Sequence, residues 1–558
     1  MTNNVEEVAV KYAIKNAYEH DGAAQIGAVV GKVKALFPEA DLKKVMPSIS
    51  KVVTTVNKMK KEKLAEEYKK FESEGWELKH VEKEKVLPEL TWLAPGEKLI
   101  TRVAPNPSGA MHFGHSRPAV LTDEYVKKYG GKIILRFDDT DPKTKTPVEG
   151  IEKEFIKDFE WLGIKFDEVT RSSDKLERYY EVIEKLLSDA NAYVCFCESE
   201  SWRKLIWDSK ACPCRKKPAK EQLSTWKKML AHEIKEEEAV VRIKTNLKDP
   251  DPSTRDWWMA KVVDEVNHTN KKMLNKHVWP SYNLASAVDD HDMNINYVIR
   301  GQEHVTNGEK QKEMFELLGW KNFPHTEYFG KISKLGDMTL SKSKMKLIMD
   351  EKGLETYDDP RMATIMSFRR RGFTSQAIRQ VIINCGVSMK EVKITIENFA
   401  STNKAVLGEV SEFAFFEEAA EMEIYNLAPG EGECYGEKVN FDSGLRKIFV
   451  DKKELLKYKS KKDSLVRFKK AFNAKITEAN EFQGKAMFVS YSKTDYQVIS
   501  WIDELVDVEI LMNDGTTKRG FSAPALLKAN GVVHFEGVGY ANIEKKENGV
   551  IKCVYSYA

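Results

Sequence analysis

Cysteine is scarce in this chain, with seven in 558 residues. That excludes a disulfide-stapled scaffold of the kind small secreted domains need when they cannot build a core. An excess of charge is missing too: 89 basic residues face 86 acidic ones, for a net charge of +3. No global field therefore announces nucleic acid, and any such argument must rest on local clusters. No apolar run is long enough to span a bilayer, and the N-terminus has no signal-peptide pattern. The expectation is a cytoplasmic protein with no membrane partner. Internal repeats and low-complexity segments are also missing. What is present is ordinary globular material, 42% hydrophobic over 558 residues. A chain this long holds several domains, since single cores rarely grow beyond about 250–300 residues.

The few cysteines are unevenly placed. Within YVCFCESESWRKLIWDSKACPCR, residues 193–215, lie Cys195, Cys197, Cys212 and Cys214. Two Cys-x-Cys pairs separated by fourteen residues can set four thiolates around one tetrahedral centre, and zinc suits that donor set best. Four buried free thiols or a redox-active pair are the alternatives. Such short paired spacing is otherwise unusual in a cysteine-poor chain, which favours zinc.

The rest of the sequence is organised around residues 102–142, RVAPNPSGAMHFGHSRPAVLTDEYVKKYGGKIILRFDDTDP. This stretch reads as a strand, a Pro- and Gly-rich turn, a helix and a second strand. A strand whose loop opens onto a helix N-terminus is a ready phosphate site, because unpaired N–H groups and the helix dipole both favour anions. His112 and His115 add donors there. Gly114 removes side-chain bulk, so a nucleotide can lie against the backbone. One strand later Asp138, Asp139 and Asp141 form an acidic cluster suited to an ammonium group or a metal.

Two further stretches carry chemistry. Residues 279–307 end on a strand at 297–300, which places Arg300 at its C-terminal end, where open parallel sheets bind substrates. A guanidinium fork matches a carboxylate with two hydrogen bonds, which lysine cannot imitate. Residues 331–346, KISKLGDMTLSKSKMK, form a basic, Ser-rich loop.

The 102–142 stretch closely resembles the signature region of class I aminoacyl-tRNA synthetases of the glutamyl/glutaminyl branch, where APNPSG precedes HIGH and LRFDDT follows. Phe113 replaces the Ile of HIGH, apolar for apolar. Thr339-Leu340-Ser341-Lys342-Ser343 looks like the KMSKS loop, departing at its first two positions with Thr339 in place of Lys. The resemblance implies archaeal-type glutamyl-tRNA synthetase, a ligase that activates glutamate with ATP and passes it to the 3′ end of tRNA-Glu. Whether tRNA-Gln is charged as well is left open, as are protein partners. By the same resemblance ATP is held by Pro105, Gly109, His112, Gly114, His115, Ser341, Lys342 and Ser343, with Mg²⁺ on the nucleotide. His112, His115 and Lys342 are then the catalytic residues, and L-glutamate is bound by Arg102, Asp138, Tyr282 and Arg300. Any zinc at the four cysteines would be structural, in an insertion that approaches the tRNA acceptor end. Glutaminyl-tRNA synthetase is the alternative; Arg300 argues against it, since that enzyme has a neutral residue there.

The implied fold class is multidomain α/β. A helical N-terminal extension and linker cover residues 1–97, in which two short helical segments divided by Gly22 and Gly27 precede a stripe of Val45, Ile49, Val52, Val56 and Met59. A Rossmann-like catalytic domain covers 98–345, with an insertion at about 193–295. A helical stem-contact region covers 346–407, where Arg369, Arg370 and Arg371 could touch RNA phosphate. A C-terminal β-barrel anticodon-binding domain covers 408–558, with hairpin signals at Asn513-Asp514-Gly515 and Asn548-Gly549. The Lys- and Arg-rich run 446–470, interleaved with Tyr458 and Phe468, fits either a solvated face or RNA binding.

Overall fold

The computed structural model describes residues 2–19, 22–37, 42–73, 87–335, 342–354, 356–461 and 463–558. Two units separate, Met1–Glu84 and Lys85–Ala558.

The first unit is helical: α1 (Thr2–Glu19), α2 (Ile26–Leu36), α3 (Leu42–Val56) and α4 (Lys61–Ser73). Ala9, Ala13 and Ala17 recur every fourth residue on α1, and their small side chains let the helix lie close to its neighbours. Against them pack Val45, Ile49, Val52 and Val56 of α3, the stripe expected from spacing, with Met59 half-buried just beyond the helix. Gly27 does not divide helices; it lies inside α2, and the break falls before it. There Asn57 holds the chain, accepting from the Ala24 amide at 2.6 Å and donating to the Ala24 carbonyl at 3.0 Å.

The second unit starts with residues 87–98, which sequence reading assigns to a linker. Leu90 is buried, and Leu87, Trp92 and Leu93 pack beside it on the core that holds Leu99, Phe113 and Leu135. The strands that follow are β1 (Leu99–Val103), β2 (Gly131–Phe137), β3 (Glu168–Arg171), β4 (Ala192–Cys195), β5 (Val240–Ile243), β6 (Trp258–Val262), β7 (Val278–Pro280), β8 (Tyr297–Gly301) and β9 (His325–Phe329). Five of them form a parallel sheet in the order β3-β2-β1-β8-β9. Helices α5 (Phe113–Tyr129), α6 (Ile151–Trp161), α7 (Leu176–Ser188), α8 (Ser199–Trp207), α9 (Ala219–Leu230), α10 (Tyr282–Asp292) and α11 (Val305–Leu318) accompany them. Parallel strands need such crossovers, and burial on both sides explains runs such as the Ile133, Ile134 and Leu135 of β2. Gly131 is required where β2 begins: its φ is +134°, and an added Cβ would run into the Leu99 carbonyl. β4 to β7 form a separate antiparallel meander with its own core around Trp226, Trp257 and Trp279.

Helices α12 (Lys342–Lys352), α13 (Ile365–Arg370), α14 (Ser375–Cys385) and α15 (Ile396–Leu407) come next. Phe368, Ile378 and Phe399 from the last three join the same core as Phe113 of α5. The remainder is mainly β-structure, in two large sheets and a two-stranded ribbon of Gly430–Cys434 with Glu437–Phe441. In the seven-stranded one the edge strands are Gln497–Ile499 and Trp501–Ile502, separated by Ser500 alone, so the sheet has curled until its edges meet. In the six-stranded one the edge strands are Glu412–Phe413 and Thr517–Ser522, and Phe416 bridges Phe521 to bring them together. Both Asn/Asp-Gly turns fall in hairpins, between Val506–Leu511 and Thr517–Ser522 and between Gly539–Glu547 and Val550–Tyr557. Among the described residues no helix is long and apolar enough to cross a membrane.

Candidate active site

Strand order locates the site. The chain runs outward from β1 through β2 to β3, then returns to the other side of β1 with β8 and β9. The reversal falls between β1 and β8, and ligands of open parallel sheets bind at the carboxyl ends of the strands at such a point. Arg102 lies near the end of β1, Asp138 directly follows β2, and Arg300 lies near the end of β8.

Three arginines are buried here, and the fold treats them differently. Arg102 donates from Nε and Nη2 to the two oxygens of Asp290, both at 3.1 Å. Arg136 on β2 donates to Asp290 at 2.7 Å and to the Ser286 hydroxyl at 3.3 Å, with Asp289 at 3.5 Å from its Nε. Burial alone would raise the Asp290 carboxyl, but the Arg102 and Arg136 guanidiniums hold it well below the usual carboxylate range. Asp289 is also gripped by Tyr179 at 3.0 Å and Ser172 at 2.9 Å. Arg300, 5% exposed, has no carboxylate partner among the described residues. Its Nη1 donates to Gln311 Oε1 at 2.9 Å and its Nη2 to the Tyr328 hydroxyl at 3.4 Å, while Nε has no partner. A buried guanidinium held only by neutral groups calls for an anion. Tyr282 opens α10 and lies half-buried with its ring 5.4 Å from that of His304. Burial and the nearby Arg300 push His304 down to about 4, so it is neutral at pH 7.

The acidic loop is stitched to the signature turn. The Asp138 amide donates to the Pro105 carbonyl at 3.0 Å, and Asn106 Nδ2 donates to the Asp138 carbonyl at 2.8 Å. Burial pushes the Asp138 carboxyl up to about 6, opposed by Arg136. Asp139 is likewise pushed up to about 6 by burial, against hydrogen bonds from the Ser173 amide at 2.7 Å and hydroxyl at 2.6 Å. His268 Nε2 meets the Asp139 carbonyl at 2.7 Å and its Nδ1 accepts from the Asn270 amide, so the proton sits on Nε2. Asp141 caps its own turn, accepting from the Thr144 amide at 2.7 Å, and is structural.

His112 is the N-cap of α5, accepting from the Gly114 amide at 3.0 Å, and its ring stacks on that of His115 at 3.7 Å. A Cβ on Gly114 would lie 2.9 Å from the His112 ring, so this glycine first makes room for the histidine. Phe113 points the other way, into the core, 4.9 Å from the ring of Phe399. The turn is braced by the start of α13 and the residues before it, the Phe113 amide donating to the Ala363 carbonyl at 3.2 Å and the Ile365 amide to that of Met111 at 2.9 Å. Pro105 and Gly109 are buried in the same turn. Ser341 lies outside the described residues; Lys342 and Ser343 open α12, their side chains outside the described set.

Residues 98–409 match the family described as tRNA synthetases class I (E and Q), catalytic domain. The chain is 39% identical to the glutamate–tRNA ligase of Pyrococcus furiosus, over 99% of this chain and 100% of that protein. It is 35% identical to that of Sulfurisphaera tokodaii, over 99% of each. The chain belongs to the archaeal-type glutamate–tRNA ligases. It is thus a class I ligase that forms aminoacyl-tRNA. A solved glutamate tRNA ligase from Elizabethkingia meningosepticum, in complex with its amino acid, is similar over 56% of this chain and 70% of that one, at 22% identity and TM-score 0.40.

Elsewhere in this ligase the four cysteines come together, every sulfur within 4.8 Å of the others. Cys195, Cys212 and Cys214 are buried and Cys197 half-buried. The Cys197 sulfur is 3.2 Å from that of Cys212 and 4.0 Å from that of Cys214, bracketing the spacing of about 3.8 Å that four thiolates take around zinc. Gln222 braces the site, donating to the Cys214 carbonyl at 2.9 Å and accepting from the Val194 amide at 2.7 Å.

Two basic stretches, each of which fits either a solvated face or RNA contact by sequence, make contacts within the protein. Tyr458 and Phe468, interleaved in the basic run, are buried core residues. Several of its lysines meet carboxylates: Lys447 with Glu421, Lys452 with Glu418, Lys453 with Glu417 and Lys470 with Glu433. The arginine triplet joins elements of the protein instead. Arg369 pairs with Asp158 at 3.3 Å, Arg370 with Glu544 at 2.7 Å, and buried Arg371 donates to the carbonyls of Tyr555 and Ser556. Spacing along a sequence shows neither the carboxylates across a sheet nor the carbonyls of a distant strand.

Proposed function

We propose that this ligase binds L-glutamate and ATP at the carboxyl ends of β1, β2 and β8 and charges tRNA-Glu. The observation that carries this is Arg300, a buried cation with neutral neighbours and an unpartnered Nε, which suits the side-chain carboxylate of the substrate. Arg102 spends two of its five N–H donors on Asp290, so the remaining ones are left for substrate, alongside the Tyr282 hydroxyl. Asp138 takes the ammonium group. Pro105, Gly109, Gly114, His112 and His115 cradle the ATP phosphates at the N-terminus of α5, where amides and helix dipole favour anions.

No protein nucleophile is needed. An oxygen of the glutamate α-carboxylate attacks the α-phosphorus of ATP, the bond to the β-phosphate oxygen breaks, and pyrophosphate leaves. The protein positions the reactants and stabilises charge on the phosphates. His112 and His115 face the phosphates before the reaction; Lys342, between Ser341 and Ser343, neutralises the departing pyrophosphate. ATP enters as its Mg²⁺ complex. The glutamyl group then passes to the terminal ribose of the tRNA, whose acceptor end meets the cysteine-bearing insertion and whose anticodon meets the C-terminal barrels. Zinc held by Cys195, Cys197, Cys212 and Cys214 would supply structural cross-linking there.

The test is pyrophosphate exchange with glutamate and with glutamine, with and without tRNA-Glu. Exchange driven by glutamate supports the reading; exchange driven by glutamine overturns it.

A further inference from the structure

What surrounds Arg300 is as unusual as its burial. Gln311, on α11, is 1% exposed. Its Oε1 accepts from Arg300 at 2.9 Å, and its Nε2 donates to Asn283 Oδ1 at 3.3 Å, which fixes the amide with its oxygen toward the guanidinium. One turn earlier on the same helix, Gly308 carries nothing where a Cβ would meet the Tyr328 hydroxyl and lie 3.0 Å from Arg300 Nη2. Tyr328 closes the other side, its ring centre 5.5 Å from the guanidinium carbon. Each of these groups fixes the orientation of Arg300, and none neutralises it. Arg102 and Arg136, on neighbouring strands, are held by Asp290 and Asp289 instead. The difference at Arg300 comes down to a single oxygen-for-nitrogen exchange: a glutamate at position 311 could make the same hydrogen bond and would close an internal ion pair.

We propose that Gln311 is the positioning residue for amino-acid specificity in this ligase. It holds Arg300 in place while leaving its charge for the substrate carboxylate to neutralise. Gly308 supports this by leaving room for the Arg300–Tyr328 contact. The inference deepens the reading above, on which Arg300 takes the substrate's side-chain carboxylate. With an internal counter-ion the pocket would no longer favour an anionic side chain over an amide of the same size. A neutral residue unable to hydrogen-bond would loosen Arg300 but leave the preference for an anion.

The experiment compares Gln311→Glu with Gln311→Met, and runs Arg300→Gln in parallel. The readout is kcat/KM for glutamate and for glutamine, with tRNA present. Gln311→Glu should lower the glutamate value by ~10²–10³, the usual effect of losing one preorganised charge contact, and compress the glutamate-to-glutamine ratio by a similar factor. Gln311→Met should lower the glutamate value by only about tenfold, as loss of one hydrogen bond to a charged group does, and leave the ratio within a few-fold of wild type. A merely structural role would make both variants lower both amino acids alike. If Gln311→Glu keeps the wild-type ratio, or Gln311→Met compresses it as strongly, the inference falls. If Arg300→Gln leaves the ratio unchanged, the underlying reading of Arg300 fails instead, so the two failures are told apart.

Discussion

The proposed amino-acid pocket and the basic run of the C-terminal barrel are both rich in cations, and they use them in opposite ways. In 446–470 exposed lysines meet carboxylates at the surface, Lys447 with Glu421 at 2.8 Å and Lys453 with Glu417 at 2.6 Å. Pairs of this kind are screened by water and salt and contribute little. In the pocket two buried arginines share Asp290, while Arg300 is left with an amide and a phenol. In a low dielectric, an uncompensated charge acts strongly on whatever enters. Counting basic residues would point to the barrel; tracing their partners points to the pocket.

The comparison can be sharpened by changing partners rather than cations. Asp290→Asn removes the counter-ion of two buried arginines, and breaking one side of a buried pair typically costs about 3–5 kcal/mol. Chemical denaturation should show a loss of that size, and an unchanged midpoint would mean that Asp290 is not ionised as described. A second test uses pH. Asp138, proposed to take the ammonium group and with its carboxyl raised to about 6, would do so only when ionised. The ionised fraction falls as pH drops through 6, so kcat/KM for glutamate should fall about tenfold per pH unit below that value, as titration of one essential group of the free enzyme requires. Asp138→Asn should be weak at every pH and lack this limb; retention of the limb would assign it to another group.

Two smaller effects bear on the rest of the molecule. Purified protein should carry about one zinc per chain, and Cys197→Ser should lower that content and slow tRNA charging more than adenylate formation. Freshly prepared protein without zinc would remove the metal reading. In the barrel, Lys447→Ala and Lys453→Ala should each leave KM for tRNA within about twofold of wild type, because their charges are already paired and solvated. A tenfold rise from either would restore RNA binding to that face.

The sequence makes some of this legible and hides the rest for physical reasons. The Cys-x-Cys pairs and the hairpin turns are local, so spacing alone foretells their geometry. The signature turn is legible through its residues, though Gly114 makes room for a histidine ring as well as for any ligand. Arg300 could be picked out by its place at the end of a strand. Its partner Gln311, eleven residues on, could not, because a lone Gln within a helix carries no signal. Asp289 and Asp290 stand as adjacent acidic residues in 279–307, yet only the folded chain shows Arg102 and Arg136 reaching them from other strands. The contacts of the arginine triplet are hidden in the sequence because most of its partners lie more than 170 residues ahead or behind.

The most direct test of the account is the ratio of kcat/KM for glutamate to that for glutamine, measured with tRNA on wild type and on Arg300→Gln. The two substrates are nearly equal in size, so shape cannot separate them, and a site built around one polar partner can discriminate by ~10⁴–10⁵. The account predicts that the variant loses glutamate activation by about that factor and that the ratio collapses. A variant that activates glutamate poorly yet keeps the wild-type ratio would contradict it, and would mean that another group reads the side chain.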